Sequence, residues 1–148
     1  MAAPHLPRVI VERLPDAPEV PVPARATTGS AGFDLASAED VRLQSGAVTL
    51  VRTGWKMRAP AGTFLEVRPR SGLSSRGVLM VNAPGTIDRD YAGEIKVPLT
   101  FLFDGGYDIR VGDRIAQIRL VADRPAEFTV GVVPAVRSRS GGFGSTGR

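Results

Sequence analysis

The sequence contains no cysteine, which excludes disulfides, thiolate metal sites and a cysteine nucleophile. Its only histidine is His5, close to the start of the chain, so neither a Ser-His-Asp triad nor a histidine-based zinc site is expected. No apolar run approaches the ~20 residues that span a bilayer. The first residues also lack the charged-then-apolar pattern of a secretory signal, so a cytoplasmic protein with no membrane partner is expected. A Lys/Arg-rich block is missing too. The formal net charge is +4, from 19 basic and 15 acidic residues, with a pI near 10.3. That balance suits an anionic ligand, but the scattered charges read more simply as solvated strand edges than as a nucleic-acid face. No nucleic-acid partner is expected. The chemistry left to such a chain uses carboxylates, Arg and Lys, hydroxyls, backbone amides and an oxygen-bound metal.

What the sequence does have is turn-forming residues, with 17 Gly and 12 Pro in 148 residues. Apolar residues make up 43% and charged residues 23%, an ordinary globular balance for one domain. Many turns in a short chain favour a sandwich or barrel of short strands over a helical bundle. Val9 to Leu14 reads as a first strand. Pro15 to Pro23 then holds too many prolines for a helix or a central strand. Short strands are expected around Val41–Leu43, Ala47–Val51, Trp55–Arg58 and Phe64–Arg68, most of them separated by Gly or Pro. The clearest strand is Glu94 to Phe103, where Ile95, Val97, Leu99, Phe101 and Phe103 alternate with the residues between them. Pro98 within it suggests an edge or a bulge. After an Asp104–Gly105–Gly106 turn, Arg114 to Val121 reads as another strand, with Ala116, Ile118 and Leu120 on one face and Gln117 on the other. Only Gly72 to Arg76 looks briefly helical. Residues 138–148 are mostly Ser, Gly, Arg and Thr around Phe143, an arm expected to be mobile unless a ligand holds it.

Three segments could carry chemistry. In Pro69–Arg70–Ser71–Gly72–Leu73 a cation, a hydroxyl and a glycine follow a strand end, which suits phosphate oxygens. The same residues could simply be a capped turn that starts a short helix. Asn82 to Gly93 reads as a hairpin whose backbone groups could recognise the edge of a base. Asp88 could there act as base for a water, and Tyr91 could pack on a sugar; a plain surface hairpin with solvated Asp residues would look the same. In Gly141 to Gly147 one aromatic lies between glycines and is followed by hydroxyls. Such a lid would stack Phe143 on a base and hold phosphates with amides, Ser145 and Thr146, unless it is only a tail. Together the three read as a nucleotide hydrolase that works without His or Cys.

These segments carry a resemblance. Ala31–Gly32–Phe33–Asp34–Leu35, Pro69 to Leu73, Asn82 to Glu94, Gly112–Asp113–Arg114–Ile115–Ala116–Gln117 and Gly141 to Gly147 match, in order, the motifs of the trimeric dUTPase family over nearly the whole chain. The resemblance implies an all-β jelly-roll subunit, residues 1–137, with a C-terminal arm, residues 138–148, in a homotrimer whose active sites are shared between subunits. It implies hydrolysis of dUTP to dUMP and pyrophosphate with Mg²⁺, and it implies site roles residue by residue. Arg70, Ser71 and Gly72 would contact phosphates, and Gln117 would reach them. Asn82, Thr86 and Ile87 would line the uracil and deoxyribose pocket, with Lys96 nearby. Tyr91 would pack under the deoxyribose and leave no room for a 2′-hydroxyl. Asp88 would be the general base, and Asp34 would support the metal-phosphate region indirectly, through water or the phosphates. Phe143 would stack on uracil, with Gly144 and Ser145 on the phosphates. The family arm usually carries Arg three residues before its first Gly. Here that position is Ser138, flanked by Arg137 and Arg139, and either could take the role. The rival within the same fold is a dCTP deaminase-like enzyme, which would need a carboxylate beside the exocyclic amine of cytosine, with Glu94 as the candidate; the Thr86 to Tyr91 segment and the Gly-Gly-Phe-Gly arm favour the dUTPase. Two further rivals are a catalytically dead nucleotide-binding homologue, against which the intact Asp88 argues, and a nucleic-acid binder, whose affinity would fall steeply with salt.

Overall fold

A computed structural model describes residues 6–134. Its strands follow the turn-rich pattern of the sequence closely. The first strands are β1 (Ile10–Arg13), β2 (Phe33–Ala36), β3 (Val41–Leu43), β4 (Thr49–Arg52), β5 (Trp55–Arg58) and β6 (Thr63–Arg68). One short helix, α1 (Ser71–Ser74), interrupts the series. Then come β7 (Val78–Met80), β8 (Gly85–Ile87), β9 (Lys96–Phe101), β10 (Tyr107–Ile109) and β11 (Arg114–Ala122). The proline-rich stretch after β1 forms no strand or helix, apart from a single bridge between Ala24 and Asp34.

The strands make a jelly roll. One sheet runs β2-β11-β6-β8 and another β4-β9-β7, with two-stranded ribbons β1-β5 and β10-β3 at the margins. Every pair is antiparallel. Alternation sends Leu35, Leu65, Val67 and Ile118 of the first sheet, and Val51, Val78, Val97 and Leu99 of the second, into one shared core. On β11 the buried face holds Ala116 and Ile118 while Gln117 points away from it. A bulge between Arg114 and Ala116 lets Ile115 reach the core as well. The buried hydroxyls are satisfied: Ser37 donates to the Glu39 carbonyl (2.7 Å) and Thr53 to the Ile95 carbonyl (2.6 Å).

Three expectations need correction. β9 is the middle strand of its sheet, not the edge that Pro98 suggested. In a strand, N and C=O of one residue face the same neighbour, and the Pro98 carbonyl accepts from Val81 N–H, just beyond the end of β7 (3.0 Å). The missing N–H of Pro98 therefore falls where that ladder has already stopped. Phe103 does not continue the buried face of Phe101. The strand ends at Phe101, Leu102 N–H turns back to the Gly77 carbonyl (2.8 Å), and Phe103 lies half-exposed, edge-on to Phe101. Asn82 to Gly93 is not a self-paired hairpin. Its one strand, β8, pairs with β6, and turns lie on either side.

Candidate active site

The fold gathers the candidate residues in two places. The first is a corner where β2, β11 and the end of β6 lie side by side. Register sets Gln117 opposite Asp34 on one side and opposite Arg68 on the other. Pro69 and Arg70 leave β6 at this point, so Asp34, Arg70, Arg114 and Gln117 converge although they come from three separate motifs. The Asp34 carboxylate pairs with Arg70 Nε through one oxygen (3.2 Å) and with Arg114 Nη1 through the other (3.3 Å). Arg70 Nη1 also donates to the Arg114 carbonyl (2.9 Å). Arg70 is thereby oriented on two sides, and among the described residues its Nη2 amine has no partner, so it can meet an incoming oxygen.

Gln117 braces the same turn. Its Nε2 donates to the Pro69 carbonyl (3.0 Å), and the other end of its amide lies over Gly32, where a Cβ would sit only 2.3 Å from Oε1. Gly32 is thus a glycine because Gln117 occupies the space of its side chain. Beyond Arg70, α1 is too short for a useful macrodipole. Its opening residues, Ser71 and Gly72, nevertheless present first-turn N–H groups that no intrahelical acceptor can take. The space beside the Gly72 Cα is open.

The second place is a cleft of about 220 Å³ lined by Leu50, Thr86, Ile87, Asp88, Tyr91, Glu94, Ile95 and Lys96. Asp88 and Lys96 are exposed at it, and Tyr91 is 45% exposed. The Tyr91 ring lies across Gly93, where a Cβ would be 2.5 Å from the phenolic oxygen, and its hydroxyl donates to the Glu94 carbonyl (3.0 Å). The ring is held by its own chain and presents a face, not a hydroxyl. Asn82 lies outside the cleft, its side chain folded against Gly85. Glu94 does not have the free carboxylate a deaminase would need. Both its oxygens accept from Arg52 Nε (3.1 Å each), and Oε1 accepts from Gly54 N–H (2.9 Å).

The two places are not brought together within one chain. Ile87 pairs with Leu65, and Arg70 lies further along the same chain, so at about 3.3 Å per residue the two are separated by roughly 15 Å. Asp88 continues in the opposite direction. The candidate residues Arg137, Arg139, Phe143, Gly144, Ser145 and Thr146, with the rest of the proposed arm, lie outside the described residues, as does His5. Arg114 was not among the residues singled out from the sequence. It stands inside the Gly112 to Gln117 motif, which could have pointed to it. Among the described residues no group of three or more acidic or histidine side chains is placed to hold a metal ion, and Asp34 is engaged by two arginines. No helix among the described residues is long and apolar enough to cross a membrane.

A jelly roll with a braced arginine corner and a carboxylate-bearing cleft defines a nucleotide-hydrolase class of site. The comparisons make this specific. Residues 18–147 match the dUTPase family model. The deoxyuridine 5′-triphosphate nucleotidohydrolase of Zymomonas mobilis is 43% identical over 93% of this chain and 95% of its own length. That of Helicobacter pylori strain J99 is 46% identical over 88% of this chain and 91% of its own. In structure, a G164S mutant of the Staphylococcus bacteriophage 80alpha dUTPase with dUpNHpp superposes with a TM-score of 0.83 at 25% identity, over 95% of this chain and 98% of the phage chain. The chain belongs to the dUTPase family, the dUTP diphosphatases.

Proposed function

We propose that this protein hydrolyses dUTP, as its magnesium complex, to dUMP and pyrophosphate in active sites shared between the subunits of a homotrimer. The observation that carries the shared site is the separation of the arginine corner from the Asp88 cleft along β6, which a second copy would bridge. A further feature favours assembly. After β11 the chain runs on through Phe128, Val130 and Val132, which alternate as in a strand yet are almost wholly exposed. Period-two apolar residues that pair with no strand among the described residues suit the sheet of a second copy.

In this reading a triphosphate with about four negative charges needs cations and amide donors where charge develops. Arg70, the amides at Ser71 and Gly72, and Gln117 take phosphate oxygens, and Asp34 would support a magnesium ion carried by the substrate only indirectly, through water or the phosphates. The metal supplies charge neutralisation on the phosphates. Thr86 and Ile87 read uracil and deoxyribose from within the cleft, with Asn82 joining them from its place beside Gly85 when nucleotide binds; Lys96 stands at the rim, and Tyr91 floors the sugar and excludes a 2′-hydroxyl. Asp88 takes a proton from water as the water oxygen bonds to the α-phosphorus. The bond from that phosphorus to the bridging oxygen breaks, and pyrophosphate leaves with the electron pair. Residues 138–148 form an arm over the site: Phe143 stacks on the base, while Gly144, Ser145 and Arg137 or Arg139 meet the phosphates. The product supplies thymidylate synthesis and the reaction lowers dUTP. A substrate drawn from free deoxynucleotides suits a cytoplasmic enzyme.

The test is pyrophosphate release with Mg²⁺ from dUTP, dCTP, dTTP and UTP in parallel. Release from dUTP alone is expected. Ammonia from dCTP, or no release from any of the four, would overturn the reading.

A further inference from the structure

Among the described residues, the loop that carries Tyr91 is tied by hydrogen bonds to the turn that joins β4 to β5. Tyr91 rests on Gly93 and donates to the Glu94 carbonyl (3.0 Å). The Glu94 side chain is gripped by Arg52 Nε through both oxygens (3.1 Å each) and by Gly54 N–H (2.9 Å). Arg52 extends the chain of charges to Asp16 (3.0 Å). The next residue is tied to the same turn: Ile95 N–H donates to the Trp55 carbonyl (2.9 Å), and the Ile95 carbonyl accepts from buried Thr53 Oγ1 (2.6 Å). Residues 52–55, between β4 and β5, are therefore the base on which the Tyr91 platform stands.

We propose that Arg52 and Glu94 are positioning residues that set the height of the Tyr91 ring and, through it, the discrimination between deoxyribose and ribose. The proposal rests on the reading of Tyr91 as the floor of the sugar pocket. Steric rejection of a single hydroxyl works only if the floor does not yield, since a gap opens to an extra atom when the supporting shell gives by about 0.5 Å. Charge-assisted bonds suit that task better than neutral ones. This pair is shielded as well, with the Glu94 side chain only 11% exposed, so solvent and salt weaken it less than a surface pair. Arg52 holds its proton more firmly than usual, through its hydrogen bonds to Glu94 and the charge of that carboxylate. Arg52 stands outside the cleft, and the Glu94 carboxylate is engaged by Arg52 and Gly54; both act on Tyr91 through the Glu94 carbonyl that accepts its hydroxyl.

The experiment compares kcat and KM for dUTP and UTP in the full-length protein and in the variants Arg52→Met and Glu94→Gln, with thermal unfolding measured alongside. Arg52→Met is expected to shrink the dUTP-to-UTP ratio of kcat/KM by about tenfold, mainly through UTP, with kcat for dUTP within about twofold. Glu94→Gln keeps one oxygen acceptor for Arg52 and Gly54 but loses the charge and the second acceptor, and is expected to lose part of the dUTP-to-UTP ratio; an unchanged ratio would remove Glu94 from the positioning role. If Arg52→Met does not fold, Arg52→Lys keeps the charge without the Nε donor and is expected to lose part of the ratio. An unchanged ratio in a folded Arg52 variant, or an equal loss on both nucleotides, overturns the positioning role and leaves the dUTPase reading standing. A wild-type protein that does not prefer dUTP over UTP would instead remove the reading on which the proposal rests.

Discussion

The arginine corner and the Asp88 cleft are built on opposite plans. In the corner the charges are paired before any substrate arrives: Asp34 lies between Arg70 and Arg114, and Gln117 holds the Pro69 carbonyl. Three adjacent strands fix these residues by register, so the corner is complete in one chain. In the cleft Asp88, Thr86 and Lys96 are exposed and make no side-chain hydrogen bond among the described residues. Only Tyr91 and the residues under it are fixed. A phosphate cradle can be finished in advance because phosphate oxygens accept donors from many directions. A base and sugar pocket must close on its ligand. On the proposed reading, the corner is the half-site one chain completes by itself, and the cleft is the half-site a second copy would complete.

The largest effect should come from separating the two halves chemically. Asp88→Asn is expected to lower kcat by about 10²–10⁴-fold with nucleotide binding retained, as loss of a general base implies; near-normal turnover would remove Asp88 from the role. Arg70→Ala, by contrast, should raise KM as well as lower kcat, since it removes both ground-state phosphate binding and charge stabilisation that grows in the transition state. Unfolding the two inactive variants together and refolding them as mixed trimers sharpens the comparison. If Arg70 and Asp88 of each site come from different copies, about a quarter of sites in an equal mixture pair an intact Arg70 with an intact Asp88. Activity should then reappear on mixing. If a site is complete within one chain, mixing restores nothing.

Deleting Gly141 to Arg148 is next in size. It should cut turnover by about 10²-fold while the rest of the chain still assembles, because closing a lid supplies substrate positioning and excludes water. An unaffected truncation would leave the cleft and corner as the whole site. Smaller again is Val130→Asp, which places a charge in the alternating segment 128–132. It should weaken self-association and make specific activity fall on dilution, whereas the parent protein should keep it. Sedimentation across a concentration series reads this directly, and an unchanged mass would mean that the exposed segment takes no part in assembly.

Much of this was legible in the sequence, and the parts that were not share a cause. Val41–Leu43 and Trp55–Arg58 could be read to the residue, because turn residues bound them and their side chains alternate. β2, β7 and β10 were missed, and β8 was folded into a supposed hairpin, because their strand character comes from the neighbours they pair with rather than from any local period. Within the site, Arg70, Gln117 and Asp34 were visible as motif residues, but their convergence depends on register across β2, β11 and β6. Arg52 was invisible as a partner of Glu94, since nothing local links a residue in β4 to one just before β9. Pro98 misled for a related reason: a proline is forbidden only where a neighbour needs its N–H, and chain length alone does not say where β7 stops.

The smallest predicted effect tests how far the corner really is prebuilt. At Gly32 the space of a side chain is already taken by Gln117, with Oε1 2.3 Å from where a Cβ would lie. Gly32→Ala must therefore displace the amide, and with it the bond to the Pro69 carbonyl that holds the turn before Arg70. Overpacking of this kind costs about 1–3 kcal/mol, so a lowered Tm is expected. A merely structural strain would stop there. If Gln117 truly steadies the phosphate turn, KM for dUTP should also rise, by about tenfold or less, while the dUTP-to-UTP ratio stays put because the cleft is untouched. Gln117→Ala in the same background should relieve the clash and recover stability but not KM. Recovery of both would mean that the corner keeps its shape without the glutamine, and that Asp34 and Arg114 alone hold Arg70 in place.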